Sequence, residues 1–170
     1  MADLVIPQPI LDQVIAQARE LAPYECCGFL AGTGHQVERV YPIKNIVGVD
    51  GATEAALFDE AKARHLSRLS PEERAEIAFI MDAQEMFQAV KDMRKNGLTL
   101  QVVYHSHPHD PARPSTTDIK IASDWEENWS RLNLTLPIYL LISLMDSSRP
   151  DVRAYWIKQG AVSPADFVLS

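Results

Sequence analysis

From residue 105 to residue 118 the chain reads His-Ser-His-Pro, then six residues, then Ser-Thr-Thr-Asp. Two imidazoles, a hydroxyl and a carboxylate packed so closely are the donor set of a zinc site. The run Leu98 to His105 is rich in β-branched and aromatic residues and predicts a strand. Successive strand side chains alternate between faces, so His105 and His107 share one and can chelate one ion, with Ser106 turned away. Pro108 lacks the next ladder N–H and ends the strand, which places the ligands at a rim. Catalytic zinc sites usually carry three protein ligands and leave the fourth position to water. Asp118 is the expected third, because Ser115-Thr116-Thr117-Asp118 opens a helix with Ile119, Ala122, Trp125 and Trp129 on one face. His109 and Asp110 compete for the position, but Pro108 breaks the spacing that would aim them. A Ser-x-x-Asp helix start is also a common capping box that needs no metal. The two uses are compatible, since Ser115 can cap while Asp118 points outward.

Hydrolysis by a metal-activated water also needs a base. The second concentrated signal is Pro23-Tyr24-Glu25-Cys26-Cys27-Gly28-Phe29-Leu30. Glu25 opens a strongly apolar strand, where a carboxylate is costly unless it meets water, a partner or a cation. The alternative is a solvated acid in the loop after the first helix.

The remaining elements must bring these two segments together. Ile10, Val14, Ile15, Ala18 and Leu21 recur at helical spacing, and Pro23 closes that helix before the Glu25 strand. Gly32-Thr33-Gly34-His35 turns this strand into a second, from Gln36 to Pro42, with His35 a solvated turn residue. Asp82-Ala83-Gln84-Glu85 caps a helix whose Phe87, Val90 and Met93 are expected on one face and whose end is marked by Gly97. Leu136 to Met145 reads as a strand buried on both faces, followed by another from Val152 to Lys158. Strands and helices intermix, so the fold class is α/β in the broad sense, α+β in detail: a mixed, curved sheet flanked by helices, in one domain over residues 1–170. The Met and aromatic positions read as core.

Glu25 before Cys-Gly, His105-Ser106-His107-Pro108, Ser115 and Asp118 together resemble the JAMM metalloproteases, or MPN-plus domain, and the metal motif matches without substitution or gap. The resemblance implies an MPN-like (cytidine-deaminase-like) fold. It implies Zn²⁺ bound by His105, His107 and Asp118, with Glu25 as general acid/base and Ser115 stabilising the tetrahedral intermediate. The Glu-Cys-Cys-Gly form is similar to the small prokaryotic branch. That likeness implies a peptidase acting after the Gly-Gly tail of a ubiquitin-like or sulfur-carrier protein, to remove a C-terminal extension or a carried amino acid. Two alternatives remain open: an isopeptidase removing ubiquitin-like modifiers from lysines, and a noncatalytic MPN scaffold. The chain departs from the compact family pattern at about residues 50–76. There Glu54 to Leu69 looks helical and Ser70-Pro71-Glu72-Glu73 signals a further cap. Leu57, Phe58, Leu66 and Leu69 can line a substrate groove or pack on the body, and the second is favoured; His65 reads as surface.

Net charge is −7, with a pI near 5.2 and both signs interspersed, which argues against a nucleic-acid partner needing a basic stripe. No apolar run reaches membrane length and no signal peptide is recognisable, so a cytoplasmic protein is expected. Cys26 and Cys27 are adjacent, which suits neither a disulfide nor a Cys-x-x-Cys knuckle; buried free thiols are expected.

Overall fold

Thr99–His107 forms the predicted metal-bearing strand and lies in the interior of an eight-stranded sheet. In this computed structural model the described residues are 1–49 and 57–170. In chain order the elements are β1 (Leu4–Ile6), α1 (Gln8–Leu21), β2 (Cys27–Thr33), β3 (Gln36–Ile43), α2 (Glu60–Leu66), α3 (Pro71–Ala75) and α4 (Ala83–Lys95). There follow β4 (Thr99–His107), α5 (Thr116–Arg131), β5 (Ile138–Ser143), β6 (Asp151–Lys158), β7 (Ala161–Ala165) and β8 (Phe167–Leu169). The strand order is β7-β6-β5-β4-β2-β3-β1-β8. β4 pairs antiparallel with β2 and parallel with β5, so the sheet is mixed, as the sequence pattern predicts.

Helices cover both faces. Ile10, Leu11, Val14 and Ala18 of α1 pack with Leu30, Val102, Tyr104 and Leu140 on one side. Ala89 and Met93 of α4 and Ala122 and Trp129 of α5 pack with Phe29, Val103 and Tyr139 on the other. β5, covered twice, is buried at every position, which is why it reads as an unbroken apolar run. The β2–β4 register shifts between Leu30 and Ala31, so Leu100 and Val102 fall in opposite cores although two residues apart. Gly28 sits where β2 crosses Tyr104: a Cβ there would lie 2.3 Å from the Tyr104 hydroxyl and 2.5 Å from the Tyr41 carbonyl.

Three expectations need correction. Phe87 is 66 % exposed, and Met86, Ala89 and Met93 carry the inner face of α4, because residue 87 lies about 100° around the helix from Met86. The helix expected from Glu54 to Leu69 is, among the described residues, the short α2, whose N-cap Asp59 accepts from the Lys62 N–H; residues 54–56 lie outside the described residues. β1, β7 and β8 have no counterpart in the sequence reading, being strands of three to five residues at or beside the sheet edges. Phe58 and Leu66 are buried with Val47, Ala78 and Ile80, so this segment does pack on the body.

Candidate functional site

His105 and His107 emerge on the same face at the end of β4, 2 % and 5 % exposed. Chain exit at Pro108 leads through a short loop into α5, whose first turn returns Asp118 to the strand end. The Nε2 atoms of the two histidines are 3.0 Å apart, and each is 3.3 Å from Asp118 Oδ2. A tetrahedral ion with bonds of about 2.0–2.1 Å sets its donors about 3.3 Å apart, so this triangle has the dimensions of one face of a zinc tetrahedron. Among the described residues it is the one group of three or more His, Cys, Asp or Glu side chains with the spacing to hold a metal. His109 instead pairs with Glu76 at 3.2 Å, and Asp110 is exposed; neither joins the group.

The two histidines are supported differently. His107 Nδ1 lies 2.8 Å from the Pro111 carbonyl, a contact that needs the proton on Nδ1 and leaves the Nε2 lone pair for a metal. His105 Nδ1 is buried with no hydrogen-bond partner among the described residues, and its ring lies against Phe79, centroids 4.5 Å apart and planes tilted 32°. Burial pushes Asp118 up, but the His105 and His107 imidazoles outweigh it and hold the carboxyl well below its ordinary value. Burial pulls His107 down, and Asp118 reverses the shift. Both shifts favour a charged cluster, which is what a cation between the three groups would replace.

Capping and convergence use the same atoms. Ser115 Oγ accepts from the Asp118 N–H at 3.1 Å, while Asp118 Oδ2 accepts from the Ser115 N–H at 2.8 Å. The carboxylate facing the histidines is therefore also a member of the capping box, where the sequence reading has Ser115 alone capping. A hydroxyl that caps as an acceptor still has its own hydrogen to donate.

Glu25 reaches this face through strand register. Cys27 is set against His105, and the Ser106 N–H donates to the Cys26 carbonyl at 3.0 Å, so the pairing continued by two residues sets Glu25 against His107. Its backbone is held at both groups: the N–H donates to the Ala75 carbonyl at 2.7 Å and the carbonyl accepts from Asn45 Nδ2 at 3.1 Å. Asn45 also bonds the Ala78 carbonyl and the N–H groups of Val47 and Ile80, tying the post-α3 segment to the site. The Glu25 side chain is 6 % exposed and accepts no hydrogen bond among the described residues. Burial raises its pKa well above the ordinary value, Asp118 and Asp110 add to that, and the Lys62 ammonium opposes it. Nothing in the sequence marks Asn45, Lys62 or Phe79: Asn45 and Phe79 act through contacts across 20 or more residues, and Lys62 through its charge on Glu25, 37 residues away.

Two cavities meet at the cluster. One, about 650 Å³, is lined by Glu25, Lys62, His107, Arg113 and Ser115 among others. The other, about 590 Å³, lies behind Phe79 and is lined by Phe29, Met81, Met86, Trp125, Trp129 and Tyr139 with the edge of His105. Cys26 and Cys27 are both buried and unpaired, as expected. Among the described residues no helix is long and apolar enough to cross a membrane.

Known proteins resemble this chain in sequence and fold. The chain is 33% identical over 119 residues to the "Probable TtuB-protein conjugate cleaving protease" of Thermus thermophilus, covering 70% of this chain and 63% of that protein, less than two thirds of its length. It is 28% identical over 162 residues to the "CysO-cysteine peptidase" of Mycobacterium tuberculosis, covering 94% and 86%. A solution structure of protein DSY2949 from Desulfitobacterium hafniense superposes with a TM-score of 0.68 at 32% identity, over 98% of this chain and 92% of that one. The family described as prokaryotic homologs of the JAB domain matches residues 7–158, a span that takes in Glu25, both histidines, Ser115 and Asp118, and this chain belongs to it.

Proposed function

We propose that this protein is a zinc-dependent peptidase. It hydrolyses the amide bond after the C-terminal Gly-Gly of a small ubiquitin-like sulfur carrier in the cytoplasm, removing a C-terminal extension or a carried amino acid. One observation carries the reading: three donor atoms converge at 3.0–3.3 Å, and the buried Glu25, which accepts no hydrogen bond among the described residues, lines the same cleft as His107 and Asp118. A scaffold that only bound partners would have no use for a desolvated acid there. The names of the T. thermophilus and M. tuberculosis relatives, a conjugate-cleaving protease and a peptidase, support the substrate class.

His105, His107 and Asp118 would hold Zn²⁺, which would supply a Lewis acid and lower the pKa of water to about 7. The Glu25 carboxylate accepts a proton from the attacking water as its oxygen bonds to the carbonyl carbon. It then delivers that proton to the departing nitrogen as the C–N bond breaks, so the amine leaves neutral. A buried carboxylate whose affinity for protons is raised suits this shuttle. The Ser115 hydroxyl, whose hydrogen is free of the cap, donates to the carbonyl oxygen as charge grows on it. Glycines on the acyl side suit a crowded reacting centre, since they carry no side chain to keep the backbone from it.

Incubation of the zinc-loaded protein with sulfur carriers bearing C-terminal extensions, and with a lysine-linked conjugate, followed by intact mass, tests the reading. Loss of the extension at the Gly-Gly junction is expected. Cleavage of the lysine conjugate alone selects the isopeptidase, and no cleavage of either with metal bound selects the scaffold.

A further inference from the structure

The cluster stands between two cavities that share Phe79, Asp118 and Ile121 and differ in chemistry. Glu25, His107 and Ser115 line the polar cleft and not the apolar cavity. A proton donor must come within about 3 Å of the departing nitrogen, so the amine side of the scissile bond belongs in the polar cleft. The acyl side is left the apolar cavity.

The amine side is also where the cations are. Lys62, His65 and Arg113 line the polar cleft, whereas no Lys or Arg is among the described residues of the apolar cavity. Lys62 already donates to the Ile77 carbonyl at 3.0 Å. Asp59 is engaged as the cap of α2, and Asp110 is an exposed acid on the same rim. Arg113 is different. Its guanidinium is exposed and makes no hydrogen bond or ion pair among the described residues, yet the loop that carries it is tightly held. Three consecutive carbonyls just before it are each bonded from a different element. The Asp110 carbonyl accepts from Ser143 Oγ at 2.6 Å, the Pro111 carbonyl from His107 Nδ1 at 2.8 Å and the Ala112 carbonyl from the Tyr155 hydroxyl at 2.6 Å. Ala112 is 2 % exposed, and prolines bracket the segment at 111 and 114. A free guanidinium on a rigid mount, two residues before Ser115, is a preorganised carboxylate reader.

We propose that Arg113 pairs with a carboxylate on the departing side of the bond, so that the preferred leaving group is a single amino acid or a short peptide ending close to the scissile bond. A lysine side chain of a large protein carries no free carboxylate there. The inference rests on the peptidase reading and narrows it.

The test uses sulfur carriers extended beyond Gly-Gly by one alanine, prepared with a free terminal carboxylate and with a terminal carboxamide. Wild-type protein is expected to show a kcat/KM about tenfold or more higher for the carboxylate form, most of it in KM, as charge-assisted pairs give. In Arg113→Gln the ratio falls to near one, and Arg113→Lys, with a point charge and no fork, restores only part of it. A wild-type ratio near one, or a ratio that Arg113→Gln leaves unchanged, overturns the assignment while the peptidase reading stands. If wild type opens neither form, the peptidase reading itself falls and takes this inference with it.

Discussion

His105 and His107 leave one strand on one face, two residues apart, yet they are held in place by different forces. His107 is oriented by a hydrogen bond to a carbonyl on the Pro111 loop and faces the polar cleft with Glu25 and Ser115. His105 has no such bond and is wedged against Phe79 at the edge of an apolar cavity. A directional bond selects the tautomer and ring angle by itself, whereas packing does so only while the surrounding shape is kept. The polar side thus concentrates the groups that move protons, and the apolar side contributes geometry.

The largest effect that would break this contrast is loss of a ligand. His107→Ala removes a donor, and zinc content is expected to fall to background with turnover down more than about 10⁴-fold, because acid–base catalysis alone accounts for 10²–10⁴ and the Lewis acid goes as well. Retention of stoichiometric zinc by this variant, measured by elemental analysis, would remove the metal centre from the account. Glu25→Gln comes next. It should keep zinc and the fold while lowering kcat by about 10²–10⁴-fold, since the amide cannot take up the water's proton. Hydrolysis near the wild-type rate would show that the opposed strand carries no acid/base.

Ser115→Ala tests a residue with two duties on the polar side. Removing the hydroxyl deletes a donor to the carbonyl oxygen, costing about 10²–10³ in kcat, and deletes a helix cap, costing roughly 1 kcal/mol. Thermal unfolding and kcat read the two losses separately, and a stability loss with kcat intact would leave Ser115 as a cap only. On the apolar side, Phe79→Ala is expected to weaken zinc binding by about tenfold, the low end for groups that orient a ligand from behind, and Phe79→Leu by less. Competition against a chelator of known affinity measures both. Equal affinity in Phe79→Ala and wild type would mean that His105 needs no support beyond its strand.

This contrast also separates what was legible in the sequence. His105, His107, Ser115 and Asp118 are close together in the chain, and strand alternation plus one helical turn is enough to predict that they converge. Glu25 is readable as a costly carboxylate at the head of an apolar strand, but its placement opposite His107, 82 residues on, depends on continuing the β2–β4 register. Phe79, Lys62 and Asn45 are invisible for the same reason: a lone aromatic, lysine or asparagine carries no local signal, and the groups they act on lie on other elements. His65 read as surface and is exposed, but it also lines the polar cleft. Phe87 is the converse case: a large apolar residue at near-helical spacing predicts an inward side chain, but Met86 fills that place. The short strands β1, β7 and β8 escaped because three to five residues are too few to display a period.

The last prediction concerns the two thiols beside the acid, which should leave activity unmoved. Cys26 faces the α1 core and Cys27 the α4–α5 core, both fully buried. Burial pushes the Cys26 thiol up to about 11, and burial likewise raises Cys27 well above its ordinary value. At pH 8 the native thiolate fraction of Cys26 is then about 10⁻³, and alkylation needs the thiolate as well as access. Iodoacetamide is therefore expected to leave both cysteines unmodified in the native protein and to label both after unfolding, as read by intact mass. Rapid labelling of Cys27 with zinc bound would mean that the face carrying Glu25 and His105 is open to solvent. The same shift sets a pH dependence. From about pH 9 to 11 the unfolded chain releases the Cys26 proton while the native protein holds it, so stability falls as pH rises, by up to roughly 2–3 kcal/mol for a shift of about two pKa units. Serine does not ionise in this range, so Cys26→Ser should retain activity and flatten that part of the decline. An equally steep decline in the variant would assign it to other groups.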